Sequence, residues 1–81
     1  MPRASRKHSL TLVGHRTSVS LEPEFWRAFQ DCAEREGISV NALAERIDAS
    51  RLRAGRDDNL SAAIRLHVLE DLQARLRAAT E

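Results

Sequence analysis

The sequence predicts a mainly helical chain led by a short β ribbon, and three observations predict it. Residues Arg16–Leu21 alternate, with Thr17, Val19 and Leu21 on one face of a strand and Arg16, Ser18 and Ser20 on the other. From Pro23 to Gly37 the apolar residues recur at helical spacing, and two further helical patterns follow after Gly37-Ile38-Ser39 and after a polar linker. At 81 residues the chain is one domain with a small core. Aromatics are 4% of residues against 42% hydrophobics, so Val, Leu, Ile and Ala must do most of the packing, helped by Phe25, Trp26 and Phe29. A six-residue strand is not stable alone, which leads to a ribbon that pairs with its copy in a second subunit, under helices.

Residues 1–7 are polar and basic and are expected to form a flexible arm. His8–Val13 alternates again, and Gly14-His15 gives the two-residue spacing of a β hairpin with Gly first, as in a type II′ turn. That register places Leu12 opposite Thr17 and Leu10 opposite Val19. Pro23 suits the first position of a helix, and Glu22 and Glu24 suit the positive end of its dipole. Phe25, Trp26, Ala28, Phe29, Cys32 and Ala33 make the helix's broad apolar face, and Gly37 is its natural stop. Ser39 can cap a second helix whose face is Val40, Leu43, Ala44 and Ile47, with Ile38 stapled onto Leu43. This helix frays through Arg51–Arg53 and stops by Gly55. A third starts near Asn59–Ser61, either of which can cap it, and runs to about Ala78.

The net charge of +1 conceals a polarity. Arg3, Arg6, Lys7 and Arg16 stand in residues 1–21 with no acid, whereas the rest of the chain sets nine arginines against all twelve acids. A basic arm leading into a strand with an outward arginine suggests a polyanionic partner. Cys32 is alone, so an intramolecular disulfide is impossible, and its neighbours mark it as a small buried hydrophobe. No apolar run reaches the length of a membrane span, and no secretory segment follows the basic start. The expectation is therefore a bacterial, cytoplasmic, nucleoid-associated protein. His8, His15 and His67 lack metal-ligand spacing. No base, nucleophile and orienting group assemble into a catalytic set. Neither an enzyme nor a cofactor or metal is expected.

The order of strand, Pro-started helix, Gly-Ile-Ser turn and helix resembles the ribbon-helix-helix DNA-binding proteins of the Arc, MetJ and CopG superfamily. The resemblance is carried by Arg16-Thr-Ser-Val-Ser-Leu21, the apolar face of the first helix and Gly37-Ile38-Ser39-Val40-Asn41-Ala42-Leu43, and covers residues 16 to about 52. The tail is similar to that of a group of short bacterial members with a third C-terminal helix. The resemblance implies an intertwined homodimer whose paired strands enter the major groove of double-stranded DNA. Arg16, Ser18 and Ser20 would then read base edges, a role their donors and acceptors suit. It also implies that the amides of Ser39, Val40 and Asn41 hold the phosphate backbone, as a helix start can. Arg3, Arg6 and Lys7 would add phosphate contacts. The chain then divides into the arm 1–7, a ribbon-helix-helix domain 8–55, and a linker with an amphipathic helix 56–81.

Residues 8–13 complicate groove entry. Two hairpins paired across a dimer make a four-stranded sheet about 14 Å across, wider than the roughly 12 Å major groove. Those residues must peel away, lie along a groove edge, or mark a ligand other than DNA. The rival reading is a protein-interaction module, antitoxin-like or adaptor-like. Its surface would be the stripe Leu60, Ile64, Val68, Leu72 and Leu76, widened by Leu66 and Leu69, which must pack on its own dimer or on another protein.

Overall fold

In a computed structural model, which describes residues 4–80, a two-stranded antiparallel ribbon precedes three helices. The elements are β1 (Arg6–Leu12), β2 (His15–Leu21), α1 (Pro23–Glu36), α2 (Val40–Arg53) and α3 (Leu60–Thr80). The hairpin forms, in a register two residues from the expected one. Leu10 faces Thr17, His8 faces Val19 and Leu12 faces His15. A two-residue shift keeps every side chain on its face, whereas a shift of one would have inverted the ribbon. The cause is the turn. Its central residues are Val13 and Gly14, not Gly14 and His15, and Gly14 has φ of 84°. A positive φ at the second central residue is the requirement of a type II turn, and the observed register delivers the glycine there. Arg6 and Lys7, expected in the arm, are strand residues paired with Leu21 and Ser20.

The helix signals act as their chemistry requires. Pro23 opens α1, and Gly37 (φ 70°) closes it as the Ile38 N–H reaches the Ala33 carbonyl at 3.1 Å. The Ser39 hydroxyl accepts from the Ala42 N–H at 3.0 Å to cap α2. Of the two possible caps of α3, Asn59 is the one used, accepting from the Ala62 N–H at 2.8 Å. Ser61 is engaged elsewhere, as described below.

All five elements contribute to one core. The hairpin gives Leu10, Leu12, Val19 and Leu21, α1 gives Phe29, Cys32 and Ala33, α2 gives Leu43, Ala44 and Ile47, and α3 gives Ala63, Ile64 and Val68. No described polar or charged residue is buried. His8 stacks flat on Trp26, with ring centroids 3.7 Å apart and planes 4° from parallel, so both lie at the rim of this core.

The stripe assigned to a partner corrects the sequence reading. Ile64 and Val68 are buried in the chain's own core and Leu60 packs against it, whereas Leu72 and Leu76 are exposed. A spacing of four residues does not stay on one face of a 3.6-residue helix, because each step rotates by roughly 40°. Between Leu60 and Leu76 the rotation is about 160°, nearly to the opposite side. Ile64 and Val68 therefore cannot serve a partner. The uncovered apolar face of α3 is instead Leu66, Leu69, Leu72 and Leu76.

Val19, 1% exposed, lies at the centre of the buried ribbon face. Val19→Asp places an unpaired carboxylate there and should unfold the chain, at a cost of several kcal/mol; a cooperative melt near that of the unaltered chain would refute the ribbon's orientation. Ile64→Ala should cost about 2–5 kcal/mol while Leu76→Ala changes stability by about 0.5 kcal/mol or less. Denaturant titration of the two variants checks the division of α3 into packed and uncovered faces.

Candidate nucleic-acid interface

The ribbon's solvent face is built from cross-strand pairs: Lys7 with Ser20, Ser9 with Ser18, and Thr11 with Arg16. Alternation puts these six side chains opposite the apolar residues that anchor the hairpin. All are exposed except Ser20, which is half-buried. The strands contain no acid. Arg6, Lys7 and Arg16 have no salt bridge among the described residues, whereas Arg35, Arg46, Arg51, Arg56, Arg65 and Arg75 each pair with an Asp or Glu. Arg16, Ser18 and Ser20 thus stand in one row, as the sequence suggested. Arg3 lies outside the described residues.

Two helix starts flank the ribbon. The Thr11 backbone N–H donates to the Asn41 side-chain oxygen at 3.2 Å, which brings the start of α2 against the outer edge of β1. Asn41 thereby lies at the edge of β1 beside Thr11, whose cross-strand neighbour is Arg16. With the Ala42 N–H capped by Ser39, the N–H groups of Val40 and Asn41 remain at the helix start, where no intrahelical partner exists for them.

On the other edge the Ser20 N–H donates to the Ser61 hydroxyl at 3.0 Å, and Arg65 donates to the Ser20 carbonyl at 3.2 Å and to Glu22 at 3.0 Å. The sequence marked Ser61 only as a possible cap of α3 and gave Arg65 no role. One turn apart on a helix, they form a donor–acceptor pair shaped for a strand edge, but nothing in the sequence tells which edge.

The Glu22 carboxyl is held below its ordinary value of 4.5 by a backbone hydrogen bond and by Arg65. Farther along α3, Asp71 accepts from the Cys32 thiol at 3.4 Å and from Arg75 at 3.2 Å, and also pairs with Arg35. Burial works to raise the Asp71 pKa, but the thiol and the two guanidiniums outweigh it and lower the value from the usual 3.8. Burial, then Asp71, pushes the Cys32 thiol up to about 11, so it stays protonated and inert near neutral pH.

With this geometry in place, the chain can be compared with known proteins. The model of the ribbon-helix-helix domain family matches residues 5–72. The chain belongs to that family, which is of the DNA-binding regulator type. Its fold is also similar to that of an uncharacterized protein from Bordetella pertussis Tohama I, at 35% identity and a TM-score of 0.72. That match covers 91% of this chain and 62% of the other. No curated protein matches. Among the described residues no helix is long and apolar enough to cross a membrane.

A depressed folded-state pKa makes Glu22 stabilising above its unfolded value, and that contribution is lost as pH falls through the folded value. Stability should therefore begin to decline as pH falls below about 4.5, the ordinary Glu22 value, with Asp71 adding its share from about 3.8 downward. Glu22→Gln should flatten the upper part of that decline in melts taken between neutral pH and the acid limb. An unchanged acid profile in this variant contradicts the assigned ion pair.

Proposed function

We propose that the chain is a sequence-specific DNA-binding transcription regulator that acts as a homodimer and lays its ribbon in the major groove. The observation that carries this reading is the ribbon's outward face, which is polar, free of acids and flanked by the start of α2. In this reading Arg16 reads guanine through two donors, and Ser18 and Ser20 make less discriminating contacts. The Ser39, Val40 and Asn41 region meets phosphate through the helix start, and Arg6, Lys7 and, by sequence alone, Arg3 add cations that displace counterions. The work is binding, not catalysis, and its place is the cytoplasm, on DNA.

A second reading rests on α3. Leu66, Leu69, Leu72 and Leu76 are uncovered, with Leu76 65% exposed. An apolar helix face of this kind is where another protein, or the second chain of the homodimer, would be held. In the partner-protein reading Leu72 and Leu76 of that stripe are exposed, whereas Ile64 and Val68 are not available.

Arg16→Ala separates the readings. Its side chain makes no core contact, so the variant should fold with unchanged stability. It should lose about 1–3 kcal/mol of discrimination at one base position per site. Replacing Arg6 and Lys7 with Ala should instead weaken all sequences alike and flatten the salt dependence. Titration of a preferred and a scrambled duplex at two salt concentrations measures both. If Arg16→Ala and the unaltered chain bind both duplexes equally, the interaction reading replaces the DNA reading.

A further inference from the structure

We infer that Ser61 and Arg65 of α3 form a latch on the outer edge of β2, holding at Ser20 the two backbone groups that a second copy of this chain takes when the chains share a ribbon. Pairing of the chains through Ser20 and the latch then exclude each other. The inference rests on the homodimer reading above and extends it to residues and a competition that the reading does not contain.

The first support is the open edge. In an antiparallel pair, alternate residues turn their N–H and C=O groups toward the partner strand and away from it. The Ser20 groups turn away from β1, because they meet Ser61 and Arg65. By the same alternation Arg16 and Ser18 turn theirs outward, and among the described residues nothing meets them. An edge left in this state is a template for another strand. Beside it runs a trough of about 380 Å³, walled by Thr17, Ser18 and Ser20 of β2 and by Arg51, Asn59 and Ser61 across from them. A second copy brings the same edge, open at the same residues, so one two-fold contact satisfies both at once.

The second support is mimicry. Two facing residues of a hydrogen-bonded antiparallel pair exchange both of their N–H···O bonds. Ser61 and Arg65 reproduce that exchange with side chains: the hydroxyl accepts from the Ser20 N–H at 3.0 Å, and the guanidinium donates to the Ser20 carbonyl at 3.2 Å. Ser20 has one N–H to give. It cannot serve the Ser61 hydroxyl and a second strand together.

The third support is that the latch can open without disturbing the fold. Ala63, Ile64 and Val68 anchor α3 in the core, and Asn59 caps it, so Ser61 is not needed for either task. Arg65 keeps its bond to Glu22 at 3.0 Å when it leaves the Ser20 carbonyl. Release is a rotation of two side chains. A strand arriving along Arg16 and Ser18 meets an unblocked stretch first and displaces the latch last. A lone chain meanwhile keeps part of its edge covered against unrelated strands.

The test compares the full chain with Ser61→Ala and with Ser61→Ala/Arg65→Ala, by sedimentation over a concentration series and by thermal melts of dilute samples. Ser61→Ala should tighten dimerisation by roughly three- to tenfold, the worth of one hydrogen bond no longer given up on pairing, and the double variant should tighten it further. The dilute variants should melt no higher than the unaltered chain, so that tighter pairing is not a gain in general stability. If the double variant fails to fold, Ser61→Ala alone decides. Unchanged or weaker dimers overturn the latch while the homodimer reading stands. An unaltered chain that is dimeric at every concentration read has nothing held back, and overturns the latch as well. Should the unaltered chain and the variants all remain monomeric, the homodimer reading fails and the latch falls with it.

Discussion

A two-stranded hairpin cannot keep an apolar face in water, and this chain is organised to cover one such face. Leu10, Leu12, Val19 and Leu21 are all buried, and each helix sends residues onto them. Strand alternation then decides everything on the other side. Once one face is fixed inward, Lys7, Ser9, Thr11, Arg16, Ser18 and Ser20 have only the solvent side left, and they are presented on a rigid support. The ribbon's polar face is therefore a by-product of packing, and its rigidity comes from the core.

Electrostatics is arranged on the same plan. A net charge of +1 is a poor advertisement for a polyanion-binding protein. Yet the helices largely neutralise themselves through pairs such as Arg46 with Glu36, Arg51 with Asp48 and Arg56 with Asp58. The ribbon's cations are left without acidic partners among the described residues. Local field, not the chain's total, is what an approaching phosphate backbone meets. Arg65 is the exception that ties the two regions together, because its guanidinium serves Glu22 and the Ser20 carbonyl at once. It spends its charge on closing a strand edge.

Much of this was legible in the residues. Pro23, Gly37 and Ser39 set the limits of α1 and the start of α2, and the inward and outward faces of both strands follow from alternation alone. The hairpin register was missed because two turn placements of Gly14 preserve the same faces. Gly14 can supply the positive φ of either placement, first in a type II′ turn or second in the observed type II turn, so the glycine does not separate them. The α3 stripe was misread because leucines four apart look like one face on paper and spiral around a real helix. The Ser61–Ser20, Arg65–Glu22 and Cys32–Asp71 contacts were invisible, since each joins residues about 40 apart through side chains that any exposed helix carries.

Methylation interference on a duplex the chain prefers tests the central claim, that the ribbon reads the major groove. Guanine N7 lies in that groove and adenine N3 in the minor groove, so one chemical treatment reports on both. The account predicts that N7-methylated guanines are excluded from the bound fraction at a few adjacent positions, while N3-methylated adenines there are bound as well as unmodified ones. Exclusion of N3-methylated adenines with tolerance of N7 methylation would put the protein in the minor groove and contradict it.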